Sequence, residues 1–312
     1  MAVAWVQEFI ALMGDGISCL DLSHNTFSSA NYTTSMGLQD QASPLTNRIA
    51  AVLSWVIPLV WTYGIQTKES ILGGLFLPAC IFGYCCFYVV SHEIIERVVG
   101  KEAASEMYGS YPAASYYLSL LHCFGTITFL WVIAALVGPR PETLGLSSLT
   151  DSQFMLDGWN HETSSHSYMQ QVHCAIISYL VKDFYLYDSQ QNVFVLHHIL
   201  SIAGSTMCLS FPALAGLITF NAAQAEFASG LYNFVVLYPT SIALYSYLVV
   251  MGISNVLIAH LTLALGFSEI HWPWRGTYCG LASVIFAIRC AGWVILGLDT
   301  TKKERTDDAK KD

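Results

Sequence analysis

Charge is scarce in this chain of 312 residues: Asp, Glu, Lys and Arg together make up 11% of it, against roughly 25% in soluble domains. With a hydrophobic share of 54% and a mean hydropathy of +0.50, the chain is too apolar for a soluble fold and suits a bilayer. A basic stripe is missing as well. Thirteen Lys and Arg stand against 22 Asp and Glu, and the net charge of −9 repels a polyanion and excludes a nucleic-acid partner. No CxxC pair occurs among the nine cysteines, which removes a zinc ribbon or a redox dithiol. Cys80, Cys85, Cys86, Cys123, Cys174, Cys208, Cys279 and Cys290 lie in apolar runs and act as small hydrophobes, with Cys19 alone outside them. There is no GxGxxG, Walker loop or GxSxG. His92-Glu93-Ile94-Ile95-Glu96 lacks the second histidine of a zincin, and the spacing of His161, His166 and His173 fits no standard site, so no metal is expected. Residues 1–20 lack the basic n-region of a cleaved signal peptide, and the first transmembrane helix is expected to serve as the targeting signal.

What is there is a succession of long apolar stretches. A spanning helix needs about 17–25 mostly apolar residues, which places eight: 48–66, 71–91, 114–138, 169–187, 192–210, 212–236, 240–266 and 277–297. The expected fold class is therefore all-α, a multi-pass transmembrane helical bundle of about eight helices. Residues 1–47 read as a flexible polar N-terminal segment, 48–91 as two additional transmembrane helices, and 298–312 as a polar tail. Two connections, 92–113 and 139–168, interrupt the bundle.

Orientation follows the excess of Lys and Arg on the cytosolic side. Eight helices place Arg48, Arg97, Lys101, Lys302, Lys303, Arg305, Lys310 and Lys311 on one side, and Lys68, Arg140 and Arg275 on the other. Both termini are then cytosolic. The sequon Asn31-Tyr32-Thr33 argues the other way, since its use requires a lumenal N-terminus and seven helices.

Ionisable groups at bilayer depth are costly, at roughly 2.5–3.5 kcal/mol each on insertion scales, and mark candidate sites. Lys182 and Asp183 close the fourth helix and His197-His198 open the fifth, with a turn near 188–191 between them. At 1.5 Å of rise per residue both sets lie about 8–10 Å inside the same face. Asp183 is expected to meet one imidazole, while the other faces elsewhere, because adjacent residues point about 100° apart. Lys182 either joins the cluster or snorkels to the interface. Tyr179, four residues before Asp183, shares its helix face. Asn221, Gln224, Glu226 and Asn233 line the sixth helix, Glu226 and Asn233 on one stripe. Arg289, at similar depth on the last helix, is a candidate ion-pair partner for Glu226. Asn255 and His260 read as interhelical glue.

In order, Ser119-Leu120-Leu121-His122, Tyr179-Leu180-Val181-Lys182-Asp183, Val195-Leu196-His197-His198-Ile199-Leu200, and Ala225-Glu226 with Asn233 resemble the TLC domain. That domain is shared by ceramide synthases, translocating-chain-associated membrane proteins and several TLC domain-containing proteins of uncertain activity. The resemblance covers about residues 105–297, the last six helices. It implies a bundle in the endoplasmic reticulum or, failing that, another endomembrane or the plasma membrane, enclosing a cavity for long-chain lipid. Membrane lipids are then the expected partners.

In ceramide synthases a His-His pair on the corresponding helix belongs to the acyl-transfer site, and His197-His198 matches it. The next helix there carries further histidine and aspartate. Here it reads Asn221-Ala222-Ala223-Gln224-Ala225-Glu226-Phe227, which departs from sphingoid-base acylation and matches the less characterised branch. Two functions stay open. In one, the cavity binds a lipid and regulates membrane composition, Tyr179, Asn221, Glu226 and Asn233 lining it and no cofactor being needed. In the other, the chain is an acyltransferase with acyl-coenzyme A as co-substrate, His197 or His198 as base or acyl acceptor, and Asp183 orienting the imidazole.

Overall fold

The computed structural model describes residues 43–66, 73–108, 111–136, 164–187, 192–210, 215–267, 275–290 and 293. They form an all-α bundle. Helix α1 spans Pro44–Gln66, α2 Gly73–Val99 and the single turn α3 Lys101–Ala104. A two-residue hairpin follows, β1 (Met107–Tyr108) antiparallel to β2 (Tyr111–Pro112). Then come α4 (Ala113–Leu120), a π-helical segment (Leu121–Ile127) and α5 (Thr128–Leu136), which run on as one rod. Beyond lie α6 (Ser164–Leu186), α7 (Asn192–Ser210), α8 (Ala215–Leu237), α9 (Ser241–Gly266) and α10 (275–290). Among the described residues, each of the eight expected stretches overlaps one helical rod.

Among the described residues, three segments are long and apolar enough to cross a membrane on those grounds alone: Leu77–Val99, Ala113–Ala134 and Ser241–Leu263; Phe194–Leu209 is apolar but shorter. The polarity of α6 sets it apart from them, since it carries Gln170, Gln171, His173, Ser178, Lys182 and Asp183. The side-chain distribution is that of a protein solvated by lipid. Large apolar groups such as Phe82 (63% exposed), Phe129 (60%) and Ile253 (54%) face outward, while Lys182 and His122 are at 0%. In water such a surface would be an aggregation liability.

Helix ends explain where the boundaries differ from the sequence reading. Ser43 Oγ accepts from the Thr46 amide at 3.1 Å, and Pro44 occupies the first helical position, where a missing N–H costs nothing. Helix α1 thus begins inside the segment expected to be flexible; residues 1–42, with Asn31, and the tail from 294 lie outside the described residues. Helix α2 runs eight residues past the expected end at 91, with Arg97 Nη2 donating to Glu93 Oε2 at 3.4 Å across one turn. It stops at Gly100, whose φ of 95° glycine adopts freely and a side chain would strain. Thr240 caps α9, its hydroxyl accepting from the Ala243 amide at 3.2 Å. Thr240→Ala is expected to lower stability by about 1 kcal/mol, read as a drop in the thermal unfolding midpoint.

Helix α6 is the hub. It packs against α1, α2, α5, α7 and α8 and against the π-helical segment, and every residue from Val172 to Phe184 is buried. A helix buried all round has no lipid or water face. Opposite it, α8 approaches the π-helical segment closely at Gly230, where an added Cβ would lie 2.8 Å from Phe124 Cζ and 2.9 Å from Cys123 Cβ.

Candidate functional site

The encirclement of α6 decides the state of Lys182. Snorkelling is ruled out: the ammonium pairs with the Asp183 carboxylate next to it and sits 4.0 Å from the centre of the Tyr179 ring, a cation–π contact. The other Asp183 oxygen, Oδ2, is 3.7 Å from His198 Nε2. Asp183 and one histidine of the pair therefore meet across the α6–α7 turn, at slightly more than hydrogen-bond length. Phe184 packs edge-on against the His198 ring at 5.7 Å. His197 points elsewhere, its ring centre 5.9 Å from that of His198.

On the far side of Tyr179 lies a second cluster. Tyr179 stacks on His122 with ring centres 4.0 Å apart and planes within 5°. His122 Nδ1 is 2.6 Å from the Tyr88 hydroxyl, and its Nε2, buried without a hydrogen-bond partner, is 3.7 Å from Glu226 Oε2. The Cys123 thiol donates to the same carboxylate oxygen at 3.4 Å. Two turns further along α8 and one turn back on the facing rod, Asn233 Nδ2 donates to Ser119 Oγ at 2.5 Å. Glu226 and Asn233 do share a stripe, and it faces α4 and the π-helical segment. A π-helix widens the turn and recurs at functional sites; here it presents His122 and Cys123 side by side to α8.

Between α6, α7, α8 and α10, with Ile258 of α9, the bundle holds a half-open cavity of about 110 Å³. Its wall includes His173, His197, Ser205, Asn221, Glu226 and Arg289. Asn221 Nδ2 donates to the Tyr278 hydroxyl at 2.9 Å, and His173 Nε2 is 2.9 Å from Thr219 Oγ1. Among the described residues, Tyr179 and Asn233 do not line this cavity, and neither do Asp183 and His198.

The expected Glu226–Arg289 ion pair is not formed. Both residues line the cavity, yet no Glu226–Arg289 contact within 4.0 Å exists among the described residues. Arg289 instead spends its hydrogens on neutral groups. Nε donates to Asn255 Oδ1 at 3.2 Å, Nη1 to the Ala225 carbonyl at 3.3 Å and Ser229 Oγ at 3.4 Å, and Nη2 to Ser254 Oγ at 2.9 Å and Met251 Sδ at 3.0 Å. The serines and Asn255 reach the guanidinium before the carboxylate does, and Glu226 is turned toward His122. Glu226→Gln is accordingly expected to shift stability by about 1 kcal/mol or less, seen as a nearly unchanged unfolding midpoint.

No protein-family model, curated protein or solved structure matches this chain.

The participation of His122, Tyr88 and Cys123 escaped the sequence reading. His122 appeared only inside a motif, and a histidine in an apolar run was the available signal. Tyr88 and Cys123 gave none, because both residue types are ordinary packing groups in a membrane helix. Among the described residues, His173 is accounted for by Thr219 and by the cavity, and no cluster of three or more His, Cys, Asp or Glu side chains has the geometry to hold a metal.

Proposed function

We propose that this chain is a TLC-type multi-pass membrane protein whose interior cavity holds the polar end of a lipid, and that it acts in lipid homeostasis or in setting membrane lipid composition. The observation that carries this reading is the cavity lined by His197, Asn221, Glu226 and Arg289 inside a bundle whose outer surface is apolar. Its size limits the occupant. Pockets for whole ligands run to about 300–1,000 Å³, and this cavity, at about 110 Å³, is smaller than that. A headgroup fits, and the acyl chains would lie between helices or in the bilayer. The eight rods would each cross the membrane with both termini cytosolic, in the endoplasmic reticulum or a related endomembrane.

The acyltransferase reading draws on His197 in the cavity wall and on Asp183 beside His198. It is the weaker of the two, because the histidine that Asp183 could orient is not the one that lines the cavity. Native mass spectrometry of the purified protein separates them. In the binding reading, His197→Ala lowers lipid occupancy roughly 2- to 10-fold, the loss of one neutral hydrogen bond, with no change in unfolding midpoint. Acyl transfer from acyl-coenzyme A that disappears in His197→Ala would establish the enzyme instead.

A further inference from the structure

The charges around the cavity define what kind of head it takes. A guanidinium has five N–H donors in a fixed fork, and all five of Arg289 are used by Asn255, Ala225, Ser229, Met251 and Ser254. No fork remains for a phosphate or carboxylate, whose binding depends on that bidentate geometry. Glu226 is the opposite case. Its Oε2 takes the Cys123 thiol and faces His122 Nε2, which leaves Oε1 as an open acceptor on a side chain that lines the cavity. An anionic head would meet this carboxylate with no donors in return. A cationic head would meet the Arg289 charge in the same small space. A neutral head with a hydroxyl to donate satisfies Oε1 and adds no charge.

A relay behind Glu226 holds it in this pose. The Tyr88 hydroxyl and His122 Nδ1 are 2.6 Å apart; with the hydroxyl as donor, the imidazole proton sits on Nε2, which faces Glu226 Oε2 3.7 Å away. Stacking on Tyr179 with planes within 5° keeps the imidazole from swinging out of line. Tyr88 is fully buried and hydrogen-bonds His122.

We propose that the cavity selects a neutral, hydroxyl-bearing lipid whose hydroxyl donates to Glu226 Oε1, with Tyr88 and His122 as positioning residues for that carboxylate; this rests on the lipid-cavity reading above. In Glu226→Gln the amide oxygen stays with the thiol and imidazole donors and the amide NH₂ faces the cavity, so the acceptor becomes a donor.

The test uses the full chain in phosphatidylcholine nanodiscs doped equally with dioleoylglycerol, dioleoyl phosphatidic acid and oleylamine, with bound lipid measured by native mass spectrometry. Dioleoylglycerol is expected to be enriched over both charged lipids, about 5-fold or more for one retained hydrogen bond to a charged acceptor. Glu226→Gln is expected to remove most, but not all, of the enrichment, and Tyr88→Phe to lower it about 2- to 5-fold. In the Glu226→Gln background Tyr88→Phe should cause no further loss, whereas a merely structural tyrosine would add its own. Enrichment of a charged lipid that depends on His197 overturns the proposal and leaves the lipid cavity standing. Additive losses remove the positioning role. Failure of every lipid to bind removes both the proposal and the cavity reading beneath it.

Discussion

Removing Lys182 alone, as Lys182→Met, is expected to destabilise the protein by about 3–5 kcal/mol, because it strands the Asp183 carboxylate in a low-dielectric interior. Asp183→Asn strands the ammonium and should cost a similar amount. Every residue from Val172 to Phe184 is buried, so neither charge can relax toward water or headgroups. The double variant is the informative one. With both charges gone and both volumes nearly kept, Lys182→Met with Asp183→Asn should return to within about 1–2 kcal/mol of the parent. Midpoints of thermal unfolding for the four proteins close the cycle. A double variant as damaged as the sum of the singles would show that the two side chains do not act as a pair.

The second large effect concerns the contact between α8 and the π-helical segment. Gly230→Ala places a methyl 2.8 Å from Phe124 Cζ and 2.9 Å from Cys123 Cβ, closer than non-bonded carbons approach. The phenyl ring can turn aside, but Cys123 Cβ is fixed to the backbone, so the helices must separate. Overpacking of this kind costs about 1–3 kcal/mol. Separation also draws Glu226 away from His122 and Cys123, one turn along the same face of α8. Gly230→Ala should therefore reduce lipid occupancy as well as the unfolding midpoint, whereas Gly230→Ser at unchanged stability would contradict the close approach.

The helices were legible in the sequence because each apolar run is bounded by turn residues or charge, and the bundle core keeps those runs helical. Boundaries shifted where a local rule extended a helix past its apolar part: the Ser43-Pro44 start of α1, and the Arg97–Glu93 turn before Gly100 at the end of α2. The meeting of Asp183 with a histidine followed from equal depth below one short turn. The fate of Lys182 did not, because snorkelling or burial depends on whether a lipid face exists, and that is set by six neighbouring segments distant in sequence. The Glu226–Arg289 pair failed for a related reason. Depth was estimated correctly enough to put both on one cavity, but depth carries no information about rotation around the helix axis. Rotation gave Glu226 to His122 and Cys123, and gave Arg289 to Asn255 and two serines. Tyr88 and His122 lie on different helices, 34 residues apart, and no spacing rule links them.

A lipid head that enters the cavity between α6, α7, α8 and α10 can be trapped there. The most direct test is photolabelling in membranes with a lipid that carries a diazirine beside the headgroup, followed by mapping of the modified peptides. Label is expected on cavity residues such as Ser201, Ser205 and Ile285, competed by unlabelled lipid and reduced in His197→Ala. Label confined to outward-facing residues such as Phe82, Phe129 and Ile253, and not competed, would contradict entry of a lipid head into the cavity.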